Sequence, residues 1–154
     1  MKLSRTLSAA LAAAAFLTAT SVTARADDGW IVKTSTASVE QTADRLVAAV
    51  EKAGATVFAR VDHAAGARRL DAELAGMTLV MFGNPKIGTP ILQAAPRTGL
   101  DLPNRVLIWD DQGETRIGYL DPAELKQRYD VEGADQAFDT MAGALGKLTD
   151  AASQ

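Results

Sequence analysis

The eight residues Gly83–Pro90 read GNPKIGTP and set one lysine among two glycines and two prolines. Thr89 is a good helix N-cap and Pro90 suits the position after it. The free N–H groups of Ile91 and Leu92 would then point out of a helix start, with Lys86 three residues upstream of the cap. A cation beside a helix N-terminus is an anion-binding arrangement, suited to a carboxylate, a phosphate or a sulfur oxyanion. A plain strand-to-helix turn uses the same residue types, so both readings stand at this level. Asn84, Lys86, Gly88 and Thr89 are the candidate ligand contacts, with His63 as a further one.

His63 is the one histidine in the chain and follows Asp62. As a general base it needs a partner within hydrogen-bond reach. Paired with Lys86 as the oxyanion-stabilising cation, it would suit a hydrolase- or lyase-like reaction on a small anionic substrate. As a haem or metal ligand it could draw on Met77 or Met81, although methionines in an apolar strand ordinarily pack a core. The chain has no cysteine, which excludes thiol catalysis, thiolate metal sites and covalent c-type haem attachment. A three-histidine metal site within one chain is excluded as well. No cofactor and no metal site is expected. Asp110, Asp111 and Glu114 gather at one tight turn, where carboxylates serve as turn formers.

The elements that must position these residues are legible from periodicity. Trp30–Ser35, Thr56–Val61, Met77–Phe82, Asn104–Trp109 and Thr115–Leu120 read as strands, the last two forming a hairpin through DDQGE. Met77–Phe82 carries apolar residues on both faces, which predicts an interior strand. Val57, Ala59 and Val61 are expected on one face, and Trp109 is a candidate packing partner for Tyr119. Ser38 and Gln41 form a capping box, and Val39, Ala43, Leu46, Val47 and Val50 follow at helical spacing up to Gly54. Further helices are expected over about His63–Glu73, Pro90–Ala95, from Pro122 onward, and about Ala134–Thr149. The order predicts an α+β fold: a mixed, largely antiparallel sheet of about five strands with helices packed on it. No GxGxxG or P-loop pattern follows the first strand.

Of the 154 residues, the first 26 read as a secretory signal peptide. Lys2 and Arg5 precede an uncharged apolar run, and Ala24-Arg25-Ala26 fits the cleavage rule. The run is shorter than the roughly 20 apolar residues of a membrane span. The expected mature chain, Asp27–Gln154, is a single domain, periplasmic or secreted, with no stable membrane span after cleavage. Of the 16 basic residues, three fall in the leader, which leaves 13 against 19 acidic ones and a net charge near −6. An acidic balance argues against nucleic-acid binding, which needs a basic surface.

FARVDHAAGAR (Phe58–Arg68), FGNPKIGTPILQAAPRTGLDLPNRVLIWDD (Phe82–Asp111) and GYLDPAELKQRY (Gly118–Tyr129) together resemble the domain-of-unknown-function 302 family. The resemblance runs over about residues 34–148. It implies a compact α+β domain that tends to form homodimers, with no established reaction or cofactor. Asp62, His63, Gly83, Asn84, Pro85, Gly88, Thr89, Pro90, Pro96 and Pro103 match recurring family positions. Leu92 stands where the family often carries Met, and Asn104 where an apolar residue is common. The expected function is therefore a homodimeric ligand-binding or interaction module, with a small anionic ligand or a periplasmic protein as partner. The enzyme using His63 and Lys86, and haem or metal binding through His63, are the alternatives.

Overall fold

In the computed structural model, which describes residues 29–154, alternation and capping produce eleven successive elements. They are β1 (Trp30–Ser35), α1 (Val39–Lys52), β2 (Thr56–Asp62), α2 (His63–Arg68), β3 (Met77–Gly83), α3 (Pro85–Ala94), a 3-10 turn (Pro96–Leu100), β4 (Asn104–Asp111), β5 (Glu114–Leu120), α4 (Pro122–Arg128) and α5 (Asp135–Ser153). The signal-peptide reading falls on residues outside those described. One five-stranded sheet runs in the order β1-β5-β4-β3-β2. All four pairings are antiparallel, so the sheet is not mixed. β3 is interior, flanked by β2 and β4, and β4 takes the middle place.

The pleat separates two faces. Val80 and Phe82 of β3, Val106 and Ile108 of β4, and Ile117 and Tyr119 of β5 point to one face and are buried. Ala43, Leu46 and Val50 of α1 and Phe138, Met141 and Leu145 of α5 join them in one core. The capping box at Ser38 and Gln41 forms as read, and Gly54, at φ +72°, follows the C-cap of α1. A buried 2.7 Å bond between the Ser35 and Thr42 hydroxyls ties β1 to α1. The amine of Lys33 donates to the Gly146 carbonyl and the Thr149 hydroxyl, both at 2.9 Å, and so ties β1 to α5.

The other alternation carries Trp30, Val32, Met77, Leu79, Met81, Leu107, Trp109 and Leu120, each half-buried. At Gly118 an added Cβ would lie 3.2 Å from the Trp109 ring and from Val32, so glycine there lets the indole lie flat across β5.

Three local expectations change. Trp109 pairs with Arg116 in register while Ile108 pairs with Ile117, so Trp109 and Tyr119 stand on opposite faces and do not pack together. An irregularity between Val57 and Ala59 turns Val57 inward, opposite Phe82, while Ala59 faces outward opposite Met81. A bulge adds a residue and bends the strand, and no periodicity argument detects it. The helix after Asp62 stops at Arg68 rather than near Glu73, because only Ala64 is buried along it. A short helix without a buried stripe has too little packing to propagate.

Ile108 is fully buried between the sheet and its helices. Ile108→Ala should lower unfolding stability by about 2–5 kcal/mol, whereas Ser38→Ala should cost about 1 kcal/mol. Urea denaturation followed by circular dichroism measures both.

Candidate functional site

The residues Gly83–Pro90 do not form a loop ending in a short helix. The helix starts five residues earlier than expected. Asn84 is the N-cap, its side chain accepts a 3.0 Å bond from the Lys86 N–H, and Pro85 takes the first position. Asn-Pro is as good a start as Thr-Pro, and the nearer one to the strand prevails. Thr89 and Pro90 lie inside α3. Pro90 there supplies no N–H to the turn before it and favours a kink.

That earlier start removes the anion site. The N–H of Lys86 is taken by Asn84 Oδ1, and those of Ile87 and Gly88 both donate to the Asn84 carbonyl, at 2.9 and 3.0 Å. Pro85 has none. The donors that an anion would use are already satisfied, and those of Ile91 and Leu92 belong to the helix interior.

What the segment forms instead is one wall of a groove of about 510 Å³. Asn84, Gly88, Thr89 and Leu92 of α3 line one side, facing Phe58, Met81, Leu102 and Pro103. Asn104 and Met141 complete it at its inner end. Phe58, the residue at the β2 irregularity, is 60 % exposed there. A Cβ on Gly83 would meet Pro103 at 3.3 Å and Phe58 at 3.5 Å, so this glycine lets the two rings approach over the strand end. A Cβ on Gly88 would meet no atom within 4 Å. The volume lies in the range of about 300–1,000 Å³ typical of small-molecule sites.

The sequence-level candidates divide. Asn84, Gly88 and Thr89 lie together on the groove. Lys86 faces away from it, into a second depression with Pro90, Gln136 and Thr140. His63 opens α2 at the far end of the β2–β3 ladder, where Asp62 pairs with Thr78, while Thr56 pairs with Gly83 beside α3. The five residue steps from Thr78 to Gly83 span about 17 Å. His63 and Lys86 therefore share no site, and the arrangement needed for the acid–base enzyme is not formed. Met81 lies in the groove, distant from His63 along the same ladder. Among the described residues, no three His, Asp or Glu side chains gather as a metal site would require. At the hairpin tip Asp110 accepts from the Gly113 N–H at 2.7 Å, and Asp111 and Glu114 pair with Arg116.

One cluster escaped the sequence reading. The Asp101 carboxylate accepts from the Tyr129 hydroxyl at 2.9 Å and from Arg128 at 3.0 Å, and it pairs with Arg105. Its side chain is 14 % exposed. Burial by itself would raise the carboxyl, but hydrogen bonds from Tyr129 and Arg128 and the charges of Arg105 and Arg128 outweigh it and hold Asp101 below its ordinary value. The phenol of Tyr129 is raised in turn, first by its bond to Asp101. A small cavity of about 50 Å³ beside Asp101 and Arg105 shares Leu102, Asn104 and Met141 with the groove. Arg105 lies four residues on in β4, while Arg128 and Tyr129 come from the end of α4, so spacing along the chain gave no signal for the whole cluster.

Comparison with known proteins places this geometry in context. The family model described as "Domain of unknown function DUF302" matches residues 31–148. Two Brucella proteins named "Fluoride-specific ion channel FluC 1", from Brucella suis biovar 1 and Brucella abortus biovar 1, are each 38 % identical over 125 residues, 80 % of this chain. The chain spans about half the length of these relatives, 49 % and 46 %. An uncharacterised conserved DUF302 protein from Bacillus stearothermophilus has a similar fold, with a TM-score of 0.74 at 16 % identity, covering 80 % of this chain and 98 % of that one.

A carboxyl held below its unfolded value of about 3.9 stabilises the fold above that pH and loses the contribution as pH falls through the lower folded value. Stability should therefore decline on acidification below about pH 4. Asp101→Asn should cost about 1.5–3 kcal/mol near neutrality and flatten that acid limb. Denaturant titrations at a series of pH values read both effects.

Proposed function

This chain belongs to the DUF302 family, and from that premise we propose that it is an exported homodimeric module that holds a small ligand in the apolar groove beside α3. The groove carries the reading. Three of the five residues singled out by sequence line it, and it joins a mainly apolar wall to a few polar groups, the usual composition of a ligand site. Export rests on the charge and apolar pattern of residues 1–26. The dimer rests on the half-buried sheet face built around Leu79, Leu107 and Trp109. Large contiguous apolar patches are uncommon on monomers. A second copy is the occupant that presents the same apolar, lightly charged face at once, in a two-fold arrangement. Two such faces would pack about 10 Å apart.

Native mass spectrometry of the gently purified protein tests both parts. The expected result is a dimer with a retained small molecule. Leu79→Asp should give monomer, and Gly88→Leu, whose Cβ meets no atom within 4 Å and whose side chain would occupy the groove, should lose the ligand and keep the dimer. An empty monomer at micromolar concentration, with no uptake of apolar small molecules, would overturn the proposal.

A second reading starts from the Brucella relatives, in which a stretch similar to this chain accounts for about half of proteins named as fluoride channels. No helix among the described residues is long and apolar enough to cross a membrane. The shared stretch then fits a domain beside the channel-forming part of those proteins, and this domain would dock on a fluoride channel. Co-expression should yield a complex that survives affinity purification. Recovery of folded channel free of this chain speaks against it.

A further inference from the structure

The groove of the preceding proposal has a charged margin, and the ligand class follows from it. Arg105 is the register partner of Met81, a groove residue, on the adjoining strand. Its side chain is 45 % exposed. Arginine carries five N–H donors, and the bonds of Arg105 among the described residues go to Asp101. The charged groups acting on Asp101 are Arg105 and Arg128, and Arg97 acts on the neighbouring Tyr129. One carboxylate therefore pairs with two guanidinium groups, and the cluster holds surplus positive charge beside an apolar cleft. Between the two lies Asn104, which lines both the groove and the small cavity beside Asp101. Its carboxamide makes no side-chain hydrogen bond among the described residues, so its donors and acceptor are available to a ligand.

We propose that the groove takes a single-chain amphiphile with an anionic head, its alkyl chain along Phe58, Met81, Leu92 and Leu102 and its head on Arg105 and Asn104. This rests on the reading of the groove as a ligand site. Charge complementarity selects the head: an uncharged alcohol leaves the guanidinium without a new partner, and a cationic head is repelled by it. The groove is open along its length, so the chain lies partly exposed and the head contact decides selectivity. The sequence-level expectation of an anionic ligand then holds with a different cation, Arg105 in place of Lys86.

Isothermal titration calorimetry at submicellar concentrations, with laurate, dodecyl phosphate, dodecanol and dodecyltrimethylammonium, tests the assignment. Laurate or dodecyl phosphate should bind at least about tenfold more tightly than dodecanol, as a charge-assisted hydrogen bond implies, and the cationic amphiphile most weakly. The stronger of the two anions distinguishes a carboxylate from a phosphate head. Arg105→Gln should abolish the preference while leaving dodecanol binding in place, with circular dichroism confirming the fold. Gly88→Leu should weaken all four. Equal binding of laurate and dodecanol, or a preference that survives Arg105→Gln, overturns the anionic-head assignment while the groove remains a site. Absence of binding by any of the four, in folded protein, overturns the groove reading itself.

Discussion

Burial of one sheet face under α1 and α5 is the constraint on which the rest of this structure depends. Val80, Phe82, Val106, Ile108, Ile117 and Tyr119 supply that face, and Leu46, Val50, Phe138, Met141 and Leu145 close over it. Because side chains alternate along a strand, fixing which residues turn inward also fixes which turn outward. Leu79, Leu107 and Trp109 are carried outward by the same register that carries Val80 and Ile108 inward. The apolar outer face is thus a direct consequence of a register set by the core.

The groove arises where this regular scheme ends. β3 finishes at Gly83, and Asn84 and Pro85 start α3 at once. The β2 irregularity sends Phe58 over the same strand end. Pro103 and Asn104 bring β4 back beside it. A glycine, a bulge and a capped helix start, none of them part of the core, together leave an apolar cleft unfilled. α3 then packs mainly on α5 and on the 3-10 turn, and its Ile91 joins the common core.

The ion cluster around Asp101 works by a different balance. Burying a carboxylate costs free energy unless it is paired and hydrogen-bonded. Three donors, from Tyr129, Arg128 and Arg105, meet that requirement. They join the end of the 3-10 turn to β4 and to the end of α4. The cluster therefore holds in place the segment Leu102–Asn104 that borders the groove, and leaves two partly exposed guanidinium groups beside it.

The α+β class, the strands, the capping box of α1, the hairpin and the family were legible in the order of residues alone. Each of these depends on residues close together along the chain: a cap and the amides two or three residues on, a period of two or 3.6, a turn glycine, a contiguous motif. The same order also directed attention to Asn84, Gly88 and Thr89, because Gly, Pro and N-cap residues concentrated there. Only the tertiary structure decided that Lys86 and His63 belong to separate places, because their separation follows from the pairing of Asp62 with Thr78 and of Thr56 with Gly83. The helix start at Asn84 rather than Thr89, the bulge that turns Val57 inward, and the opposed faces of Trp109 and Tyr119 were likewise settled by packing and register. So was the meeting of Asp101 with Arg105, Arg128 and Tyr129. Asn84 and Thr89 are both good caps followed by proline, and local preference separates them only slightly, in favour of asparagine; the earlier start is the one whose helix packs on α5 and buries Ile91 in the core.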